Sequence, residues 1–304
     1  MIGRAWAIVF ARAGYSVTLW DGYPAAVDEA LESIRPRLQD LHEAGLAEDP
    51  GAASARIRPV QTLAEALHGA VYVQENLPET VEVKRAIFTE MDVLALPEAI
   101  LASSTSAIPA SAFTAELAGR SRCLVAHPAN PPYLLPIVEL CGAPWTAPET
   151  LSRSHQLLSQ VGQQPILVRR EIRGFILNRL QGALLNEAFR LVDEGYVTPE
   201  DLDKTVSHGL GLRWSFIGPF ETIDLNAPGG VRDYCERYGG FYQESRREPP
   251  LPEPWPEALV AALERERRAA VPQEEHGERQ AWRDRRLTAL AAHKRAMEAD
   301  ECGE

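Results

Sequence analysis

Short apolar runs alternate with longer amphipathic stretches through the first half of the chain. Ser16-Val17-Thr18-Leu19-Trp20, Ala70-Val71-Tyr72-Val73, Ile100-Leu101-Ala102-Ser103, Cys123-Leu124-Val125-Ala126, Ile137-Val138-Glu139-Leu140 and Ile166-Leu167-Val168 read as strands, rich in apolar and β-branched side chains. Between them, residues 3–13, 24–45, 79–94, 109–117 and 147–161 read as helices. Strands alternating with helices predict a doubly wound, Rossmann-type α/β domain, its parallel sheet covered on both faces, over residues 1–171.

The pattern changes after residue 170. Phe175 to Val192 is apolar on almost every face and reads as a central buried helix. Thr198-Pro199-Glu200-Asp201 offers an N-cap, a proline at the first helical position and an acidic first turn. Gly218-Pro219-Phe220 opens another helix, and two more follow from Trp255 to Ala269 and from Glu278 to Glu298. Residues 172–304 are therefore expected to form an all-helical second domain, with residues 246–254 as a proline-rich, extended connector.

Composition narrows the class. The chain has 304 residues, 45% of them hydrophobic, and a formal net charge of −12, so nucleic acid or an anionic membrane is not the expected partner. No apolar run is long enough to span a bilayer and no signal peptide opens the chain, which makes the cytoplasm the expected compartment. Cys123, Cys141, Cys235 and Cys302 lie far apart and have no metal-ligand spacing, so no metal site is expected.

Two residues stand out chemically. His127 ends one apolar run and Glu139 sits inside the next. A carboxylate in a buried strand is costly unless it is paired, and the partner within reach is a histidine one strand away. Such a pair raises the basicity of the imidazole and sets its tautomer, as a proton-abstracting base requires.

At the other end, Gly3 precedes an apolar helical stretch, and Asp21 follows the strand Val17-Thr18-Leu19-Trp20. This matches the later part of a dinucleotide-binding βαβ unit, with Gly3 in the place of the third glycine of its loop and Asp21 placed to hold ribose hydroxyls, favouring NAD over NADP. The first strand and the two phosphate-facing glycines are absent. Loss of a central strand would cost far more than the ~5–15 kcal/mol stability of a domain. Met1 is thus expected to fall inside the biological loop. The alternative is a shortened chain that binds NAD badly or not at all.

Taken together, Ile2-Gly3-Arg4, Gln74-Glu75-Asn76-Leu77-Pro78-Glu79, Ser103-Ser104-Thr105-Ser106, the His127 stretch, Gly174-Phe175-Ile176-Leu177-Asn178-Arg179-Leu180 and Phe216-Ile217-Gly218-Pro219-Phe220-Glu221-Thr222 resemble the L-3-hydroxyacyl-CoA dehydrogenase family. The resemblance spans residues 2 to about 230. It is nearest to the lambda-crystallin branch, described as L-gulonate 3-dehydrogenases, and Gln280-Ala281-Trp282-Arg283-Asp284 extends it. The resemblance implies His127 as catalytic base, Glu139 as its partner, Ser106 at the reacting oxygen, Asn178 at the substrate, and Glu79 and Lys84 on the cofactor side. It implies NAD-dependent oxidation of a small hydroxy acid at its 3-hydroxyl, L-gulonate first, and a homodimer through the helical domain. Arg213 is the candidate clamp for a substrate carboxylate, with a surface arginine as the other reading. A 3-hydroxyacyl-CoA or carnitine substrate, and a crystallin-like binding protein without activity, stay open as alternatives.

Overall fold

The computed structural model describes residues 2–245 and 255–301, which leaves the proline-rich stretch 246–254 outside the described residues. The chain divides into two compact units, Met1–Arg179 with Glu278–Glu304, and Leu180–Gly277.

The first unit carries strands β1 (Val17–Leu19), β2 (Ile57–Pro59), β3 (Tyr72–Glu75), β4 (Ile100–Ser103), β5 (Cys123–Pro128), β6 (Ile137–Gly142) and β7 (Gln164–Leu167). Helices α1 (Ile2–Arg12), α2 (Pro24–Glu43), α3 (Pro50–Ala55), α4 (Leu63–Leu67), α5 (Val81–Leu94), α6 (Ser111–Thr114) and α7 (Pro148–Gln160) lie between them. Local chemistry sets several of the starts. The Asp49 side chain caps α3, Thr62 and Glu65 cap α4 reciprocally, and Thr80 caps α5.

β3 to β7 form a five-stranded sheet in the order β3-β4-β5-β6-β7, while β1 and β2 pair separately in parallel. The sheet is not parallel throughout, as the alternating pattern predicts: β6 runs antiparallel to β5. Residues 129–136 are the reason, because a parallel crossover takes roughly a dozen residues or more and a reversal takes fewer. β2 escapes the apolar pattern because Ile57 is its one buried residue.

β5 shows how the sheet divides the interior. Leu124 and Ala126 face one cluster with Ile8, Val9, Leu38, Val138 and Leu140, whereas Cys123 and Val125 face another with Phe88, Phe113, Cys141 and Phe175. β1 and β3 do not pair. Both line a cavity of about 820 Å³, together with Trp6, Ala7 and Phe10 of α1.

α8 (Leu177–Asp193) leads into the second unit, which holds α9 (Pro199–Thr205), α10 (Gly211–Trp214), α11 (Pro219–Leu225), α12 (Gly230–Ser245) and α13 (Glu257–Ala270). No strand occurs among the described residues after Leu167. The Thr198 hydroxyl caps α9 by accepting from the Asp201 amide at 3.2 Å. α8 is not the buried helix its composition predicts. Leu180, Leu184 and Leu185 are exposed, and packing instead engages Phe189, stacked on Trp255 with ring centres 4.1 Å apart.

The last helix is α14 (His276–Glu301). It belongs mostly to the first unit, where Leu287 packs against the cluster around Ile8 and Arg295 donates to the Gly45 carbonyl at 3.1 Å. No helix among the described residues is long and apolar enough to cross a membrane.

Leu124 is fully buried in β5. Leu124→Ala is expected to cost about 2–5 kcal/mol, seen as a lower urea midpoint at unchanged slope.

Candidate active site

The histidine and the strand carboxylate meet directly. His127 stands opposite Glu139 across the antiparallel β5–β6 pair, which puts both side chains on one face of the sheet. His127 Nδ1 lies 2.8 Å from Glu139 Oε2, and the two residues are 6% and 1% exposed. The other carboxylate oxygen accepts the backbone amides of Ile176 at 2.7 Å and Leu177 at 3.0 Å. Burial pushes the Glu139 carboxyl upward, but the bonds from His127, Leu177 and Ile176 outweigh it and hold the group below its ordinary range. The start of α8 adds the positive end of a helix. An ionised Glu139 keeps the imidazole proton on Nδ1 and leaves Nε2 as the basic nitrogen.

A left-handed turn aims those two amides. Gly174 has φ 77° and Phe175 has φ 46°. Glycine adopts this region freely, whereas a phenylalanine there is strained by about 1–3 kcal/mol. Phe175 is fully buried with its ring centre 5.6 Å from that of His127, and this packing offsets the strain.

Asn178 sits in the same first turn of α8. Its Nδ2 donates to the Ser106 carbonyl at 2.9 Å, which fixes the turn after β4. His127, Glu139, Asn178 and Ser106 are thus linked through one helix start. Beneath them, Gln74 donates to Ser104 Oγ at 2.7 Å and to the Ala126 carbonyl at 3.0 Å, immediately before His127. Trp6 of α1 donates to the same Ser104 hydroxyl at 3.0 Å, and that hydroxyl donates to Asn76 Oδ1 at 2.7 Å. Sequence reasoning passes over Trp6, Gln74, Glu75, Ser104 and Phe175 as site residues. The one visible signal is the polar run Gln74-Glu75-Asn76 at the end of an apolar strand.

Glu79 and Lys84 both bond to the turns that follow β3 and β4. Lys84, 1% exposed, donates to the two Glu75 oxygens at 3.1 and 3.0 Å and to the Leu77 carbonyl at 3.4 Å. All three ammonium protons are engaged, so Lys84 braces the turn after β3. Glu79 accepts from Thr105, Ser106 and Ala107. Arg213 lies exposed in α10 of the second unit.

Gly3 and Asp21 both line the cavity between β1 and β3, away from His127. The first turn of α1 carries no acidic residue, so its N-terminal amides suit an anion. A Cβ on Gly3 would come within 3.4 Å of Asn76 Nδ2, a close approach that favours glycine. The helix start and the acid after β1 fit a dinucleotide.

A profile described as the NAD binding domain of 3-hydroxyacyl-CoA dehydrogenase matches residues 1–172, and one for the C-terminal domain of the same enzymes matches residues 174–271. The chain belongs to the 3-hydroxyacyl-CoA dehydrogenase family. It is an NAD-dependent oxidoreductase of that family. Lambda-crystallin of the rabbit, Oryctolagus cuniculus, is 41% identical over 98% of this chain and 95% of its own length. L-carnitine dehydrogenase of Streptomyces griseus is 36% identical over 87% of this chain and 76% of its own. Among solved structures, an NAD+-dependent 5-formyl-3-hydroxy-2-methylpyridine 4-carboxylic acid 5-dehydrogenase superposes with a TM-score of 0.81 at 28% identity, covering 98% of this chain and 95% of that one. The 3-hydroxybutyryl-CoA dehydrogenase of Escherichia coli gives 0.65 at 30% identity, over 82% of this chain and 52% of that one.

Glu139→Gln removes the charge that holds His127. At neutral pH it is expected to cost about 1–3 kcal/mol of stability. A carboxyl with a lowered folded pKa stabilises above its unfolded value of ~4.3, and this contribution fades as pH falls through the folded value. Urea midpoints of the two proteins should therefore begin to converge as pH falls below about 4.3 and meet only below the lower, folded value.

Proposed function

We propose that this protein oxidises the 3-hydroxyl of a small free hydroxy acid, L-gulonate to 3-dehydro-L-gulonate, with NAD as hydride acceptor. The observation that carries the substrate is similarity to lambda-crystallin over 98% of the chain, α14 included, where the carnitine enzyme covers 87%. The buried His127–Glu139 pair supports the chemistry.

In this reading His127 Nε2 takes the hydroxyl proton, and Glu139 stabilises the imidazolium that forms. Ser106 and Asn178 hydrogen-bond the substrate oxygen as it becomes a carbonyl. NAD, when bound, accepts the hydride. The Gly3 end of α1 would hold its pyrophosphate and Asp21 its adenosine ribose. Exposed Leu212, Phe216, Phe220 and Leu225 support a homodimer through the second unit.

Carnitine is the second substrate reading, favoured by the 36% identity to L-carnitine dehydrogenase. A turnover panel of L-gulonate, L-carnitine and 3-hydroxybutyryl-CoA, followed by NADH absorbance, separates the readings. L-Gulonate is expected to give the highest kcat/KM, and a clear preference for either rival would overturn the assignment. His127→Gln should lower kcat by about 10²–10⁴-fold, and full activity in that variant would refute the base.

A further inference from the structure

We propose that Glu79 is a positioning residue for Ser106, acting with the buried Glu75–Lys84 pair to hold the turn that follows β4. The inference deepens the dehydrogenase reading and rests on it for the role of Ser106.

The turn is held from two carboxylates at the exit of β3. On the inner level, Glu75 is 5% exposed and accepts both Lys84 and the Ser103 hydroxyl, the latter at 2.5 Å. The Ser103 oxygen in turn accepts the Thr105 amide at 3.2 Å. On the outer level, Glu79 Oε1 accepts the Thr105 hydroxyl at 2.8 Å and the amides of Ser106 at 2.9 Å and Ala107 at 2.7 Å. Glu79 Oε2 accepts the Ser106 hydroxyl at 2.7 Å and shares the Ser106 amide at 3.1 Å.

The count of donors decides what Glu79 can do. A carboxylate offers about four lone-pair sites. Three donors of the turn converge on Oε1, while Oε2 takes the Ser106 hydroxyl and shares the Ser106 amide, so both oxygens are tied to the turn. A glutamine could not substitute, because its NH₂ would face donors.

Ser106 itself is fully committed in this arrangement. Its amide and its single hydroxyl proton go to Glu79, and its carbonyl accepts Asn178. To donate to the reacting oxygen, the hydroxyl must rotate away from Glu79 while the amide bonds keep the turn in place. Glu79 therefore does two things. It fixes where the Ser106 oxygen stands, and it competes with the substrate oxygen for the Ser106 proton.

Two measurements on the full chain test this. The first is amide hydrogen exchange without cofactor or substrate. Glu79→Gln should raise exchange at Ser106 and Ala107 by about tenfold or more while leaving Leu124 in β5 unchanged. Unaltered exchange at both amides would overturn the clamp. The second is a double-mutant cycle with the hydroxy acid that the wild type turns over best. Glu79→Gln and Ser106→Ala should each lower kcat by about 10²-fold, and the double variant should be no slower than Ser106→Ala alone. Multiplying losses, or a raised KM for NAD with kcat intact, would return Glu79 to the cofactor side. A wild type without turnover would refute the functional reading, and the exchange result would still decide the clamp.

Discussion

A buried carboxylate with three donors organises this protein. Glu139 stands among apolar residues of β6, where an uncompensated charge would be ruinous. His127 and the amides of Ile176 and Leu177 remove that cost. Satisfying Glu139 therefore dictates where β5 lies, where α8 begins and how the chain turns at Gly174 and Phe175. Asn178 and, through it, Ser106 inherit their positions from the same requirement. The strained Phe175 is one expense of the arrangement, and its burial against His127 shows where the compensation lies.

The reversal of β6 belongs to the same logic. Were β6 parallel to β5, its side chains would meet β5 in a different register. The antiparallel ladder puts His127 and Glu139 face to face, on the side of the sheet that Val125 and Cys141 share. Their neighbours Ala126 and Leu140 point into the opposite cluster. Slipping the register by one residue would place the carboxylate on the face of Leu124 and Ala126, among Ile8 and Leu38.

Much of this was legible in the residues, and the gaps have physical causes. β4 reads correctly to the residue because Ile100 to Ser103 is buried on both faces. His127 and Glu139 announce themselves as polar residues inside apolar runs. The direction of β6 is not written in that run at all, since it follows from the shortness of residues 129–136. β2 hides because it pairs along one edge with a single buried side chain. α8 looks central because its leucines are many, but apolar content says nothing of what covers it. The amides of Ile176 and Leu177 cannot be read, because a backbone donor has no residue identity. Glu79 and Lys84 show a different limit. Spacing places them near the right turn, while side-chain direction sets the bonds they make, Lys84 to Glu75 and Glu79 to the Ser106 hydroxyl.

The break between β1 and β3 divides the first unit's sheet into two ladders with no backbone bond between them. α1 bridges the two ladders, through Trp6 on Ser104 and the approach of Gly3 to Asn76. One helix therefore touches both the nucleotide side, at Gly3, and the turn that carries Ser106, at Ser104.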